Sequence, residues 1–241
     1  MQQPPTPPPA VTPAPEAAPA PSPAPAGAPW LAAARPWNTA PWLAQHESYV
    51  TRTRMGGIDA VFLGDSIIEF FASRAPDVWS SLTQRYGSVV DYGISGDRTQ
   101  FVLWRLQHGE LDGLQPRAVV LLIGTNNLAV SSAEGVARGI LAVANETHAR
   151  VPGATVLVCG LLPRGAANDP LRAKAAAVNA LLQRALAENP SLRYVAPPDG
   201  FITADGTLDA TLLPDGLHPA AAGYALWSTA LRPALDAVFG T

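Results

Sequence analysis

Four short strings in this chain carry side chains able to attack a carbonyl, move a proton or hold a developing negative charge: Gly64-Asp65-Ser66, Gly93-Ile94-Ser95-Gly96-Asp97, Gly124-Thr125-Asn126-Asn127 and Asp215-Gly216-Leu217-His218. A serine hydroxyl is a weak nucleophile until a neighbouring base takes its proton. His218 can be that base, because an Asp three residues earlier can accept from one ring nitrogen and leave the other for a hydroxyl. Glycine lets a backbone N–H approach a ligand closely, and an Asn amide donates without bringing a charge. Combined, these groups suit an oxyanion. Taken singly, each string has a plainer account: an N-cap at Asp-Ser, steric turn formers at Gly and Asn, an exposed loop before a helix at Asp-x-x-His. The other histidines read as structural. His46 and His108 fall in stretches expected at the surface, and His148 near a helix C-terminus, whose dipole favours it. Cys159 ends an apolar run and reads as a small core hydrophobe.

Strings so far apart need a scaffold, and the order of elements is legible. Five short apolar runs read as strands: Ala60 to Leu63, Val89 to Tyr92, Ala118 to Ile123, Thr155 to Cys159 and Leu192 to Ala196. Between them lie helical patterns. Ser131-Ser132-Ala133-Glu134 reads as a capping box opening a helix that runs to about Arg150. Asp169-Pro170 supplies an N-cap and a first-turn proline, after which Leu171, Val178, Leu181, Leu182, Ala185 and Leu186 share a face. A last helix should start near Pro219 and be kinked or interrupted at Pro233. Strands alternating with helices imply right-handed crossovers, and the unbroken apolar run at Val119 to Ile123 implies a sheet covered on both faces. The expected fold is a three-layer α/β/α sandwich on a doubly wound, parallel, five-stranded sheet in the flavodoxin-like order 2-1-3-4-5. Its crevice should lie beyond the carboxyl ends of strands 1 and 3, where the winding reverses.

Composition narrows the partners. The chain has 241 residues, 16 Lys+Arg against 19 Asp+Glu and one cysteine, so it offers no basic stripe for nucleic acid and no internal disulfide. No apolar run approaches the ~20 residues a membrane span needs, and no Cys/His spacing suggests a metal site. Residues 1–29 hold 12 of the 25 prolines and read as a disordered Pro/Ala-rich tail or linker, with residues 30–241 as the folded domain. The tail lacks the apolar segment of a secretory signal. Spacers of this kind often follow export signals in bacteria, so a periplasmic or secreted location is favoured over a cytoplasmic one, with any signal removed before residue 1.

The four strings together resemble the four blocks of SGNH (GDSL-type) hydrolases. Phe62-Leu63-Gly64-Asp65-Ser66, Tyr92 through Gln100, Val102-Leu103-Trp104-Arg105-Leu106, Gly109-Glu110-Leu111 and Gly160 through Gly165 are similar to the catalytic subunits of intracellular platelet-activating-factor acetylhydrolases and their bacterial relatives. The likeness runs from about Trp42 to Val238. It implies Ser66 as nucleophile, His218 as base and Asp215 as its orienting partner. It also implies an oxyanion hole from the backbone N–H groups of Ser66 and Gly96 and the amide of Asn126. Ile67, Thr125 and Leu217 would wall a small acyl pocket, and Asp91 departs from the family's usual Asn. The implied function is a serine esterase, without cofactor, acting on short-chain and above all acetyl esters of small molecules, and the likeness allows a homodimer. A longer-chain lipase or thioesterase of the same fold stays open. So does a non-catalytic ligand-binding module. The absence of Gly-x-Ser-x-Gly, of a phosphate loop and of Gly-x-Gly-x-x-Gly disfavours α/β-hydrolase and nucleotide chemistry.

Overall fold

The computed structural model describes residues 27–241. Most of the expected tail, residues 1–26, lies outside the described residues. Its last residues do not: Ala28 and Pro29 are buried, the Pro29 carbonyl accepts from Thr99 Oγ1 at 2.7 Å, and the Ala33 N–H donates to Gln100 O at 3.0 Å. The boundary drawn at residue 29 therefore falls within packed chain. Composition could not show this, because Pro and Ala pack as readily as they extend.

The elements follow in the order α1 (Thr39–Arg54), β1 (Ala60–Gly64), α2 (Ser66–Glu69), α3 (Phe71–Arg74), α4 (Pro76–Tyr86), β2 (Val89–Gly93), α5 (Thr99–Gln107), β3 (Ala118–Leu122), α6 (Ala133–Arg150), β4 (Thr155–Cys159), α7 (Pro170–Leu186), β5 (Leu192–Val195) and α8 (Ala221–Phe239). All five strands lie within one residue of their expected bounds. They form one parallel sheet in the order β2-β1-β3-β4-β5. Every residue of β1 and β3 is buried, which is why their sequences run apolar without alternation. Gly64 pairs with Gly93 on one side and Leu122 on the other, so three loops leave the sheet at one level. Glycine is needed there: a Cβ on Gly64 would sit 2.1 Å from the Leu122 carbonyl oxygen.

An aromatic cluster locks the outer helices to β1. Phe62 and Phe71 meet Trp79 and Trp227 edge-on or tilted at 5.3 to 6.3 Å, and Tyr224 stacks on Phe71 at 4.5 Å. Pairs of this kind add about 0.5–1.5 kcal/mol beyond area burial.

Three local expectations are corrected. The cap of α6 is Ser132, whose hydroxyl accepts from Gly135 N at 3.1 Å; with glycine at the third helical position this is a simple serine cap and not the capping box expected from Ser131 and Glu134. On α7 the buried stripe is Ala175, Val178, Leu182 and Leu186, with Ala185 exposed. Helix α8 runs unbroken through Pro233. Pro233 and Thr229, whose carbonyl loses its partner there, both face water, while Leu231 and Leu235 are fully buried and hold the helix in place. Among the described residues, no helix is long and apolar enough to cross a membrane.

Candidate active site

Asp65 is the N-cap of α2, its Oδ1 accepting from Ile67 N at 3.0 Å. That job is therefore not Ser66's, and the serine hydroxyl is free for another partner. Ser66 Oγ lies 2.9 Å from His218 Nε2, across 152 residues of chain. His218 Nδ1 lies 2.7 Å from Asp215 Oδ2, while Asp215 Oδ1 accepts from the backbone N–H groups of Leu217 and His218 at 3.0 and 2.7 Å. Partial burial pushes the Asp215 carboxyl up, but the hydrogen bonds from His218 and from Leu217 N outweigh it and hold the group at about 2. Asp215 is thus anionic, and its Asx-type turn aims the imidazole. The Phe70 ring, 5.3 Å from that of His218, packs beside it.

The loops after β2 and β3 converge on the same place. Gly96 has φ +80°, a left-handed conformation in which a side chain would be strained, and an added Cβ would stand 3.0 Å from Arg35 Nη2. Asn126 donates one amide N–H to Asp97 O at 2.9 Å, which fixes the amide and, among the described residues, leaves its second N–H without a protein acceptor. Among the described residues, the N–H groups of Ser66 and Gly96 have no protein acceptor either. Ser66 N stands at the start of α2, where Asp65 takes the N–H groups of Ile67, Ile68 and Glu69. Asn127 is structural: fully buried, it accepts from Thr99 N at 3.1 Å and donates to Gln100 Oε1 at 3.0 Å.

Of the expected pocket residues, Ile67 and Thr125 are buried beside Ser66 and Asn126, while Leu217 is half-buried beside His218. Thr125 brings a neighbour with it: Arg164 Nη1 donates to its carbonyl and its hydroxyl at 3.2 and 3.0 Å. The Gly160 to Gly165 loop is joined to the Asp215 loop by Gly165 N donating to Gly216 O at 3.0 Å. Reading single residues gave Arg164 no role. It lies in a string quoted above for family likeness, but only the contact across the crevice ties it to Thr125.

The histidine assignment needs one correction. His46 is buried, not on the surface, and its Nδ1 is 3.0 Å from Glu110 Oε2. Helix α1 carries no strong apolar stripe, so its buried face was not legible. His108 is exposed and stacks on Trp104, as a surface residue can. Asp91 accepts from Gly93 N at 2.9 Å, and burial, reinforced by nearby Glu69, pushes its carboxyl up to about 7. Cys159 is buried, and desolvation pushes its thiol well up, so it is inert. A cleft of about 760 Å³ opens at the opposite end of the sheet, lined by Gly113, Arg117, Arg150 and Thr155 among others; it contains none of the converging groups.

A parallel sheet of order 2-1-3-4-5, with a serine, an imidazole and a carboxylate linked at its carboxyl edge, is the architecture of the SGNH hydrolases. The chain belongs to the GDSL-like lipase/acylhydrolase family, whose profile matches residues 62–226. It is 38% identical over 183 residues to the human platelet-activating factor acetylhydrolase IB subunit alpha1, covering 76% of this chain and 78% of that one. To the human alpha2 subunit it is 36% identical over 184 residues, covering 76% and 79%. In fold it is similar to a GDSL-like lipase from Bacteroides thetaiotaomicron, with a TM-score of 0.61 at 22% identity, covering 80% and 98% of the two chains. An acetylxylan esterase from Geobacillus stearothermophilus gives a TM-score of 0.59 at 22% identity, covering 73% and 94%.

Proposed function

We propose that this acylhydrolase is a serine esterase that cleaves short-chain acyl esters, acetyl esters foremost, through an acyl-enzyme. The observation that carries the reading is the relay from Ser66 Oγ through His218 to Asp215, at 2.9 and 2.7 Å. Ser66 Oγ attacks the ester carbonyl carbon as His218 Nε2 takes its proton, and the carbonyl π electrons move to oxygen. That oxyanion meets the N–H groups of Ser66 and Gly96 and the free N–H of Asn126. Collapse breaks the bond to the alcohol oxygen, which leaves with the proton from His218. Water then attacks the acyl-serine with His218 again as base, and the acid departs as Ser66 regains its proton. Asp215 stays ionised throughout and steadies the imidazolium.

The short-acyl reading rests on Ile67, Thr125 and Leu217, which adjoin Ser66, Asn126 and His218 in the chain and by family likeness would wall the acyl pocket. The words acetylhydrolase and acetylxylan esterase in the relatives' names point the same way. Hydrolysis of 4-nitrophenyl acetate by the wild type, lost in Ser66→Ala, tests the chemistry; equal rates in both proteins would leave a binding module in its place. A series of esters tests the pocket, with kcat/KM expected to fall from acetate to octanoate. A rise along the series would point to a lipase or thioesterase instead.

A further inference from the structure

Arg105, on α5, is fully buried, and its guanidinium reaches two of the three strand ends that lead to the proposed oxyanion donors. Nη2 donates to Gly64 O at 3.1 Å and Nη1 to Tyr92 O at 3.2 Å, gripping the ends of β1 and β2. Nε forms a close ion pair with Asp97 Oδ2 at 2.9 Å, without hydrogen-bond alignment, and Nη1 donates to Glu110 Oε1 at 2.6 Å. Gly64 stands two residues before Ser66, and Asp97 directly after Gly96. The carbonyl of Asp97 receives the fixed N–H of Asn126 at 2.9 Å. Each proposed donor is thus within two residues or one hydrogen bond of a residue that Arg105 holds. The far side of the cluster is closed by α1: Trp42 Nε1 donates to Asp97 Oδ1 at 2.9 Å, and His46 faces Glu110.

Stability alone is a poor reason for such a cluster. Buried ion pairs and triads are frequently neutral or unfavourable relative to apolar residues of the same volume, because desolvating each ion costs several kcal/mol. What a rigid planar fork does supply is fixed spacing between the backbone segments it bridges. Donors held in place before charge develops need no reorganisation during the reaction.

We infer that Arg105 is a positioning residue for ester hydrolysis, its fork setting the spacing of Ser66 N, Gly96 N and Asn126 Nδ2 in the free enzyme. The inference rests on the reading of those three groups as an oxyanion hole. Arg105→Lys keeps the charge and loses the fork. The expected result is a fall in kcat of about 100-fold, the usual scale for a misplacement near 1 Å, with KM little changed. Affinity for a trifluoromethyl ketone, which adds Ser66 Oγ to form a hemiketal oxyanion, should fall by the same factor. Rates are taken per active site titrated with a fluorophosphonate, so an unfolded fraction does not count. Val143→Ala, a core truncation on α6, provides a destabilised control with unchanged kcat. Trp42→Phe removes the N–H that fixes Asp97 and should show the same paired loss at smaller size. If Arg105→Lys does not fold, Trp42→Phe decides. Wild-type kcat and ketone affinity in the folded variant overturn the inference, as does a loss confined to KM. A Ser66→Ala enzyme that still turns over would instead sink the esterase reading.

Discussion

Several of the described serine hydroxyls are spent on local backbone: those of Ser48, Ser73 and Ser81 donate to carbonyls three or four residues back. Among the described residues, Ser66 alone faces an imidazole. Its contact with His218 exists because Asp65 already caps the helix, and because the Asx-type turn at Asp215 sets the ring plane. At this scale the expectations are kinetic. Ser66→Ala and His218→Ala should each lower kcat on acetate esters by about 10⁴- to 10⁶-fold, and combining them should add little, because the two act as one unit. A double variant far below either single one would separate their roles. Asn126→Ala should cost about 10²- to 10³-fold in kcat with a modest change in KM, the signature of a donor used mainly in the transition state. Steady-state kinetics on the purified variant decides it.

The strands and helices determine how much freedom those residues have. The N–H of Gly93 is bonded to Asp91, and its carbonyl accepts from Tyr49 Oη at 2.6 Å, so the end of β2 is tied to α1. Asp91 makes this segment sensitive to pH. In the folded chain it ionises near 7, against about 4 in an unfolded one. Between those values the folded state holds the extra proton, so stability is full below about pH 4 and declines as pH rises through 7. Asp91→Asn should remove that part of the slope: a Tm above wild type at pH 8 and equal to it at pH 4, by thermal unfolding in matched buffers. A kcal/mol corresponds to about 2–4 °C in a domain of this size. Buried Asp65 and Asp97, pushed up by burial to about 7 and 6, contribute in the same sense and leave a residual slope. Helix α8 is tied to α2 through Tyr224 Oη, which donates to Ile67 O at 2.7 Å inside the core. Tyr224→Phe should cost about 1 kcal/mol in denaturant unfolding, since it removes one buried hydrogen bond and keeps the ring stack.

Across the whole molecule, chemistry gathers at one end of the sheet because the strands are parallel and in register, so the loops after β1, β2 and β3 emerge together where the winding reverses. The 760 Å³ cleft at the other end holds none of the converging groups. The sequence by itself marked the five strands and singled out Ser66, Gly96, Asn126, Asp215 and His218 as candidates, because period, turn residues and short strings are local properties, while their proposed roles came from family likeness. It did not reveal the burial of His46 or the packing of Ala28 and Pro29, since α1 has no strong stripe and Pro-Ala runs carry no period. Arg105 and Arg164 stood within familiar strings, yet a charged residue in a helix or loop reads first as solvated. Only tertiary structure assigned them partners, because an ion pair, a hydroxyl facing an imidazole or a guanidinium bridging two strand ends depends on distances between segments far apart in the chain. Those distances follow from how the covered sheet packs, not from the order of residues along it.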